Sequence, residues 1–388
     1  MAKKSFIQGA VTLGIAGIII KIMGMFFRIP LANLIGDKGM GYYQTAYPIY
    51  VLFLTLATAG IPIAISKMVS ERIAVGRHYE AYRVFRVSFV LLFAIGICSS
   101  SILFFGAEYI VHALKNPGAK YAMMSIAPAL LFVPIMAAYR GYFQGMQDMK
   151  PTAVSQVAEQ LFRVAAGLTL AYLLVDRGRE FAAAGASFGA TAGSIAGLIT
   201  VVTVYYFRKN SLRNDVERAQ QINGERSRDI LARILIIAVP ITIGAAIMPI
   251  MNTIDAGIVM RRLQETGWTE EAANGLYGQL TGLVGPLINF PQVMTQAIAM
   301  SLVPAISVAY KQKDQAFLSY NIRLGIRTAM IIGLPCALGF MTLSEPLMLL
   351  LYPFQKASAV SAAPCLFIMA FGVIFLSTVQ TLTGVLQG

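Results

Sequence analysis

Two histidines, three cysteines and one tryptophan are all that 388 residues supply of those types. His78 lies in a basic stretch and His112 at a helix end, so no histidine pair has metal-ligand spacing. Cys98, Cys336 and Cys365 all fall in apolar segments without a CxxC spacing, which excludes a disulfide or zinc framework and leaves small core residues. Charge is scarce as well, at 13% of residues against 57% hydrophobic, and the mean hydropathy is +0.68. A soluble domain of that make-up would lack polar residues for its surface. Acids are the scarcest charge, 18 Asp and Glu against 31 Lys and Arg. The resulting +13 does not point to nucleic acid, because the cations gather in connecting loops on one side of the apolar runs. No nucleophile–base pair, metal cluster or phosphate-cradling loop is present, so neither an enzyme nor a cofactor is expected.

What the chain has is length of apolar sequence. Runs of twenty or more recur, which makes it an all-α polytopic membrane protein. The first covers Phe6–Ile35, and the GDKGMG turn (36–41) leads to a second at Tyr42–Val75 containing Pro48 and Pro62. Further spans are expected at 84–112, 121–143, from 151, at 181–207, 230–259, 275–310, 317–343 and from 358. The N-terminal MAKK precedes a run too long for a signal peptide and without an A-x-A exit, so an uncleaved first span is expected. With the N-terminus inside, twenty Lys and Arg fall in inner segments and eight in outer ones. That bias predicts a cell-membrane protein with a cytoplasmic N-terminus.

Residues 208–229 are polar and basic and divide the chain. The expected organisation is an N-terminal lobe of six spans (1–207), a cytoplasmic linker (208–229) and a C-terminal lobe with four spans (230–388). The halves echo each other in order. Ala64-Ile65-Ser66 returns as Ala305-Ile306-Ser307, Arg86 as Arg327, APALLF (127–132) as APCLFI (363–368), and GYFQG (141–145) as GVLQG (384–388). Six spans separate the copies, so both halves run the same way, giving pseudo-symmetric parallel six-helix lobes around a central cavity. A full second copy would reach about residue 450, so the second lobe is expected to be incomplete here.

Charges inside the apolar runs are the candidate site. Lys21 and Arg28 share one face of the first span with Gly14, Gly17 and Gly24, whose small size lets another backbone approach. Lys21 stands about 22 Å along a helix from Phe6. A cation at mid-bilayer costs at least ~2.5–3.5 kcal/mol, which an aqueous cavity for anionic cargo would offset and snorkelling would evade. Glu159 and Arg163 lie one helical turn apart, about 12 and 18 Å beyond Pro151, either lining that cavity or closing an intrahelical bridge. Gln44, Asn289 and Gln292 offer groups for sugar hydroxyls or for interhelix bonds. Asp255 is expected to meet Arg261, Arg262 or water.

The run GDKGMGYYQTAYPIYVLFLTLATAGIPIAISKMVSE, with KIMGMFFR, RGYFQGMQDMKP and SQVAEQLFR, resembles the stage V sporulation protein B branch of the polysaccharide exporters. That branch is related to MurJ-type lipid II flippases within the multidrug/oligosaccharidyl-lipid/polysaccharide superfamily. The resemblance implies two six-helix lobes, commonly two more helices, and thus about four helices beyond those counted here. It implies outward movement of an undecaprenyl-pyrophosphate-linked saccharide by alternating access through a cationic cavity. Lys21 and Arg28 fit the MurJ-type first-helix arginine pattern approximately. Ala46-Tyr47-Pro48 and Leu276-Tyr277-Gly278-Gln279 stand where that pattern has further arginines, a place that Arg163 fills in charge. Expected partners are the lipid-linked anionic saccharide, membrane lipids and a cell-wall polymerase. A multidrug/cation antiporter and a non-transporting scaffold are the competing functions; the first would need buried carboxylates, and the one clear mid-membrane acid of the first lobe is Glu159, beside an arginine.

Overall fold

The computed structural model describes residues 2–218 and 225–387, with side chains described from Thr12 onward except at 209–224, 297, 304 and 387. The middle of the expected linker (219–224), the side chains of Lys3 and Lys4 and the end of the repeated GVLQG lie outside those described. All regular structure among the described residues is helical. The helices are α1 (Ala2–Thr58), α2 (Ile61–Ala74), α3 (His78–Ala113), α4 (Lys120–Ile126), α5 (Ala129–Gly145), α6 (Lys150–Leu174) and α7 (Arg179–Arg218). After the linker come α8 (Ser227–Glu265), α9 (Glu270–Gly278), α10 (Gly285–Lys311), α11 (Gln315–Thr342), α12 (Ser344–Leu351) and α13 (Lys356–Gln387). Nine stretches among the described residues are long and apolar enough to cross a membrane.

The first of these, Thr12–Ala74, has 63 residues, about 95 Å if straight, three times the hydrocarbon thickness. It does not run straight. Gly36 adopts φ 73° and ψ −177°, a conformation essentially reserved for glycine. Beyond it the chain doubles back, so the rings of Phe27 and Tyr43 lie 6.3 Å apart, where a straight helix would separate them by about 24 Å. The ten crossings expected from sequence are therefore these nine stretches with the first folded in two. The turn is tighter than GDKGMG implied, since residues 37–41 are already helical. A second break falls at Ala59-Gly60, where a β-carbon on Gly60 would strike the Ala238 carbonyl of α8. Thr242 Oγ1 accepts the freed Gly60 N–H at 3.2 Å.

Packing divides the chain into two compact units that do not follow helix order. The first comprises Met1–Phe27 and Tyr42–Asn274, the second Arg28–Gly41 and Gly275–Gly388. Helix α8, counted with the second lobe from sequence, thus packs in the first unit. Its Ile230, Ile234 and Ala238 join one buried cluster with Ile65 and Met68 of α2, Val84, Phe85 and Leu92 of α3, and Tyr142 of α5. Glu225, just before α8, is fixed to the same unit by the buried Arg72 guanidinium and, at 3.8 Å, by Arg233. Arg72 also reaches Glu80 at 3.9 Å and donates to the Met68 carbonyl at 3.0 Å.

In the second unit the segment around Gly36 is held by side chains distant in sequence. Asn33 donates to the Leu351 carbonyl at 2.8 Å and accepts from the Phe354 amide at 3.3 Å. The Asp37 carboxylate accepts from Gln279 Nε2 at 2.9 Å and Ser358 Oγ at 2.8 Å. Gly278 and Gly282 let this segment lie directly on the wide turn Gln279–Val284 between α9 and α10. A single turn of that wide, five-residue hydrogen-bond pattern inside a helix is uncommon and requires such local support.

Candidate functional site

Site construction in the first unit begins with a stripe of glycines. Gly185, Gly189, Gly193 and Gly197 recur every fourth residue on α7 and so share one face. They lie on the α6 backbone. A β-carbon on Gly189 would sit 2.5 Å from the Arg163 carbonyl oxygen, and one on Gly193 2.5 Å from that of Glu159. This close approach fixes α6 along its length and leaves Glu159 and Arg163 to face other neighbours.

Those neighbours complete a charged cluster. Arg163 Nη2 donates to Glu159 Oε1 at 3.3 Å, and Arg140 Nη2 of α5 donates to Glu159 Oε2 at 3.0 Å. Arg140 Nε donates to Ser155 Oγ at 2.9 Å, while Ser155 donates in turn to the Thr152 carbonyl. The side chains of Arg140, Glu159 and Arg163 are only 13%, 16% and 18% exposed. The returning arm of α1 supplies aromatic cover: Tyr43 and Tyr47 stack at 5.7 Å, and Tyr47 and Tyr50 lie 6.1 Å apart. All three tyrosines are within electrostatic range of Arg163. Two polar atoms here are buried without a partner, Arg163 Nε and the Tyr50 hydroxyl. The cluster is a two-cation, one-acid arrangement with unused donors.

The sequence points to Glu159 and Arg163, whereas Arg140, near the end of the 121–143 span, is one of the twenty cations counted there in inner segments. The structure corrects this: Arg140 lies inside α5 and shares Glu159 with Arg163. Its signal was its place in AAYRGYFQG, flanked by small and aromatic residues rather than loop residues. Glu159 therefore closes the intrahelical bridge to Arg163 and also a second bridge, to Arg140.

The other expected residues fall elsewhere. Lys21 is exposed on α1, without an acid in ion-pair range among the described residues. Gly14 and Gly17 on its face meet nothing within 4 Å of an added β-carbon, and only Gly24 lies near α6, against Gln160. Arg28 belongs to the second unit, half-buried and within electrostatic range of Tyr352, whose hydroxyl donates to the Leu283 carbonyl at 2.9 Å. Gln44 is buried in the first unit. Asn289 and Gln292 are brought together on α10, where Gln292 donates to Asn289 at 3.1 Å. Asp255 is exposed, and Arg261 and Arg262 instead close on Glu265, each at 3.0 Å. Among the described residues no three His, Cys, Asp or Glu gather as a metal site, and the three cysteines are free.

The chain is 29% identical over 360 residues to stage V sporulation protein B of Bacillus subtilis (strain 168), covering 92% of this chain and 69% of that protein. It is 28% identical over 352 residues to the lipid II flippase MurJ of the same organism, covering 88% and 64%. Among solved structures, the inward-facing conformation of a multidrug resistance MATE family transporter of the MOP superfamily matches 98% of this chain and 85% of its own, with a TM-score of 0.78 at 14% identity. The likeness to that structure is one of fold, carried by membrane-spanning helices. A family model described as polysaccharide biosynthesis protein matches residues 6–310, and this multi-pass membrane protein belongs to that family.

Proposed function

We propose that the chain is a flippase that carries an undecaprenyl-pyrophosphate-linked saccharide from the inner to the outer leaflet by alternating access. The observation that carries this reading is the buried Arg140–Glu159–Arg163 cluster, with its excess of one positive charge and its unmatched donors. A pyrophosphate must be sheltered while its headgroup crosses ~30 Å of hydrocarbon. Guanidinium groups meet that need through paired N–H donors, and an ammonium meets it as a point charge. Within the first unit Lys21 adds positive charge and Gln44 a partner for sugar hydroxyls, and Arg28, Asn289 and Gln292 offer the same chemistry within the second. With Arg140 taken out of the inner set, nineteen Lys and Arg against eight still favour the cytoplasmic side for the face that carries the N-terminus. A polymerase that consumes lipid-linked saccharides at the outer face is the partner class this cargo implies.

Export of organic cations would need an available carboxylate, and Glu159 is held by two arginines. The test is transport of a fluorescent, short-chain prenyl-pyrophosphate saccharide in proteoliposomes. Substituting Arg163→Ala is expected to lower the rate by at least about tenfold, with partial recovery in Arg163→Lys, as removal of one partner of a buried charge pair costs ~2–5 kcal/mol. A Lys21→Ala, Arg28→Ala, Arg163→Ala protein that transports at the unsubstituted rate would overturn the reading.

A further inference from the structure

Glu159 meets partners on several elements. Arg140 reaches it from α5 and Arg163 from its own helix. Tyr50 approaches from α1, and α7 contributes the bare backbone of Gly193 and Gly197. Two guanidiniums therefore share one carboxylate, each through a single Nη2 donor. Arg163 Nε and the Tyr50 hydroxyl, itself on a side chain only 1% exposed, have no acceptor. A carboxylate has two oxygens and uses both. An oxyanion with more oxygens, spread tetrahedrally, could engage both arginines and the two idle donors together.

We propose that this cluster is an exchange site, in which Glu159 is a built-in counter-ion that a phosphate-type oxyanion displaces from Arg140 and Arg163. The inference rests on the anionic cargo proposed above and adds how its site is kept between cargoes. Without an anion, two guanidiniums buried side by side would repel each other and lack solvation. Glu159 holds them together until cargo arrives, and its return helps to eject cargo afterwards. Ser155 keeps Arg140 oriented throughout, since it contacts Nε and leaves the Nη atoms to the anion. Glu159 consequently weakens cargo binding while maintaining the empty site.

Calorimetric titration of inorganic pyrophosphate into the purified full chain in detergent separates the alternatives. Glu159→Gln keeps the side chain's shape and removes its charge, and is expected to tighten binding by about tenfold or more, the scale of close charge-pair coupling. Arg140→Gln and Arg163→Gln are each expected to weaken it by at least about tenfold. Unchanged or weaker binding by Glu159→Gln, with the arginine variants still impaired, overturns exchange and spares the anion-transport reading. Equal affinity in both arginine variants and the unsubstituted protein counts against that reading as well. A second measurement needs no substitution: labelling of Glu159 by an apolar carbodiimide, read by peptide mass spectrometry. Labelling is expected to rise when pyrophosphate frees the carboxylate, and a fall or no change overturns the proposal.

Discussion

A single backbone angle decides the entry into this fold. At Gly36 the φ of 73° with ψ −177° cannot be adopted by an L-residue without strain, and the Gln355 side-chain oxygen would sit 3.1 Å from an added β-carbon. Gly36→Ala is therefore expected to cost ~1–3 kcal/mol of stability, read as a lower thermal unfolding midpoint in detergent. Gly14→Ala is the comparison, because its β-carbon meets nothing within 4 Å, and a change within about 0.5 kcal/mol is expected. Equal effects would mean that the turn does not require glycine. At this scale the sequence was partly informative. A pair of glycines bracketing Asp37-Lys38 marked a turn, but not which residue makes it, because every glycine in GDKGMG satisfies the same pattern. Arg140 shows the reverse limit. Its charge near a span end fits a loop residue, and only the meeting of α5 with α6 reveals that its partner is Glu159.

At the scale of the element, α6 is held in register by what α7 lacks. The four-residue glycine spacing is legible in the sequence as a small-residue face, which lets another helix come close. Which helix fills the groove is not, since any apolar neighbour would serve. The structure assigns α6, and puts Gly193 at the level of the charged cluster: its β-carbon would lie 2.5 Å from the Glu159 carbonyl oxygen and 3.0 Å from Arg163 Cβ. Gly193→Ala must push the helices apart there, at ~1–3 kcal/mol for overpacking. It should also weaken pyrophosphate binding, because displacing α6 shifts Glu159 and Arg163 relative to Arg140. Gly244→Ala on α8, which meets nothing within 4 Å, should leave both the midpoint and the titration unchanged. Loss of stability with intact binding in Gly193→Ala would show that the helix contact does not position the site. The internal repeat is also resolved element by element. Pro128 caps the start of α5 after a break, immediately before Ala129, whereas its counterpart Pro364 lies inside the continuous α13, so similar sequence does not impose the same bend.

For the molecule as a whole, the apolar runs were enough to identify spans, but the grouping of those spans was not contained in them. Both halves have the same alternation of long apolar segments and basic loops, so hydropathy alone cannot tell which unit takes α8 or Arg28–Gly41. Side-chain contacts of distant residues decide this. Asp37 has the sequence context of a loop acid at a water-facing turn, yet its carboxylate joins Gln279 and Ser358, 242 and 321 residues away in the chain. If these bonds bind the segment into the second unit, the effects of removing their partners must be coupled. Asp37→Ala and Ser358→Ala are each expected to lower stability, by ~1–3 kcal/mol where a polar partner is left unsatisfied. The double variant should lose less than the two together, by a coupling of ~0.5–3 kcal/mol, as for residues in one hydrogen-bonded network. Reversible denaturant unfolding in mixed micelles would measure the cycle, with Thr328→Ala as a reference, because Thr328 bonds only the Leu324 carbonyl of its own helix. Strict additivity of Asp37→Ala and Ser358→Ala would mean that the contact is incidental and that the hydrogen bonds of Asn33 alone seat this segment.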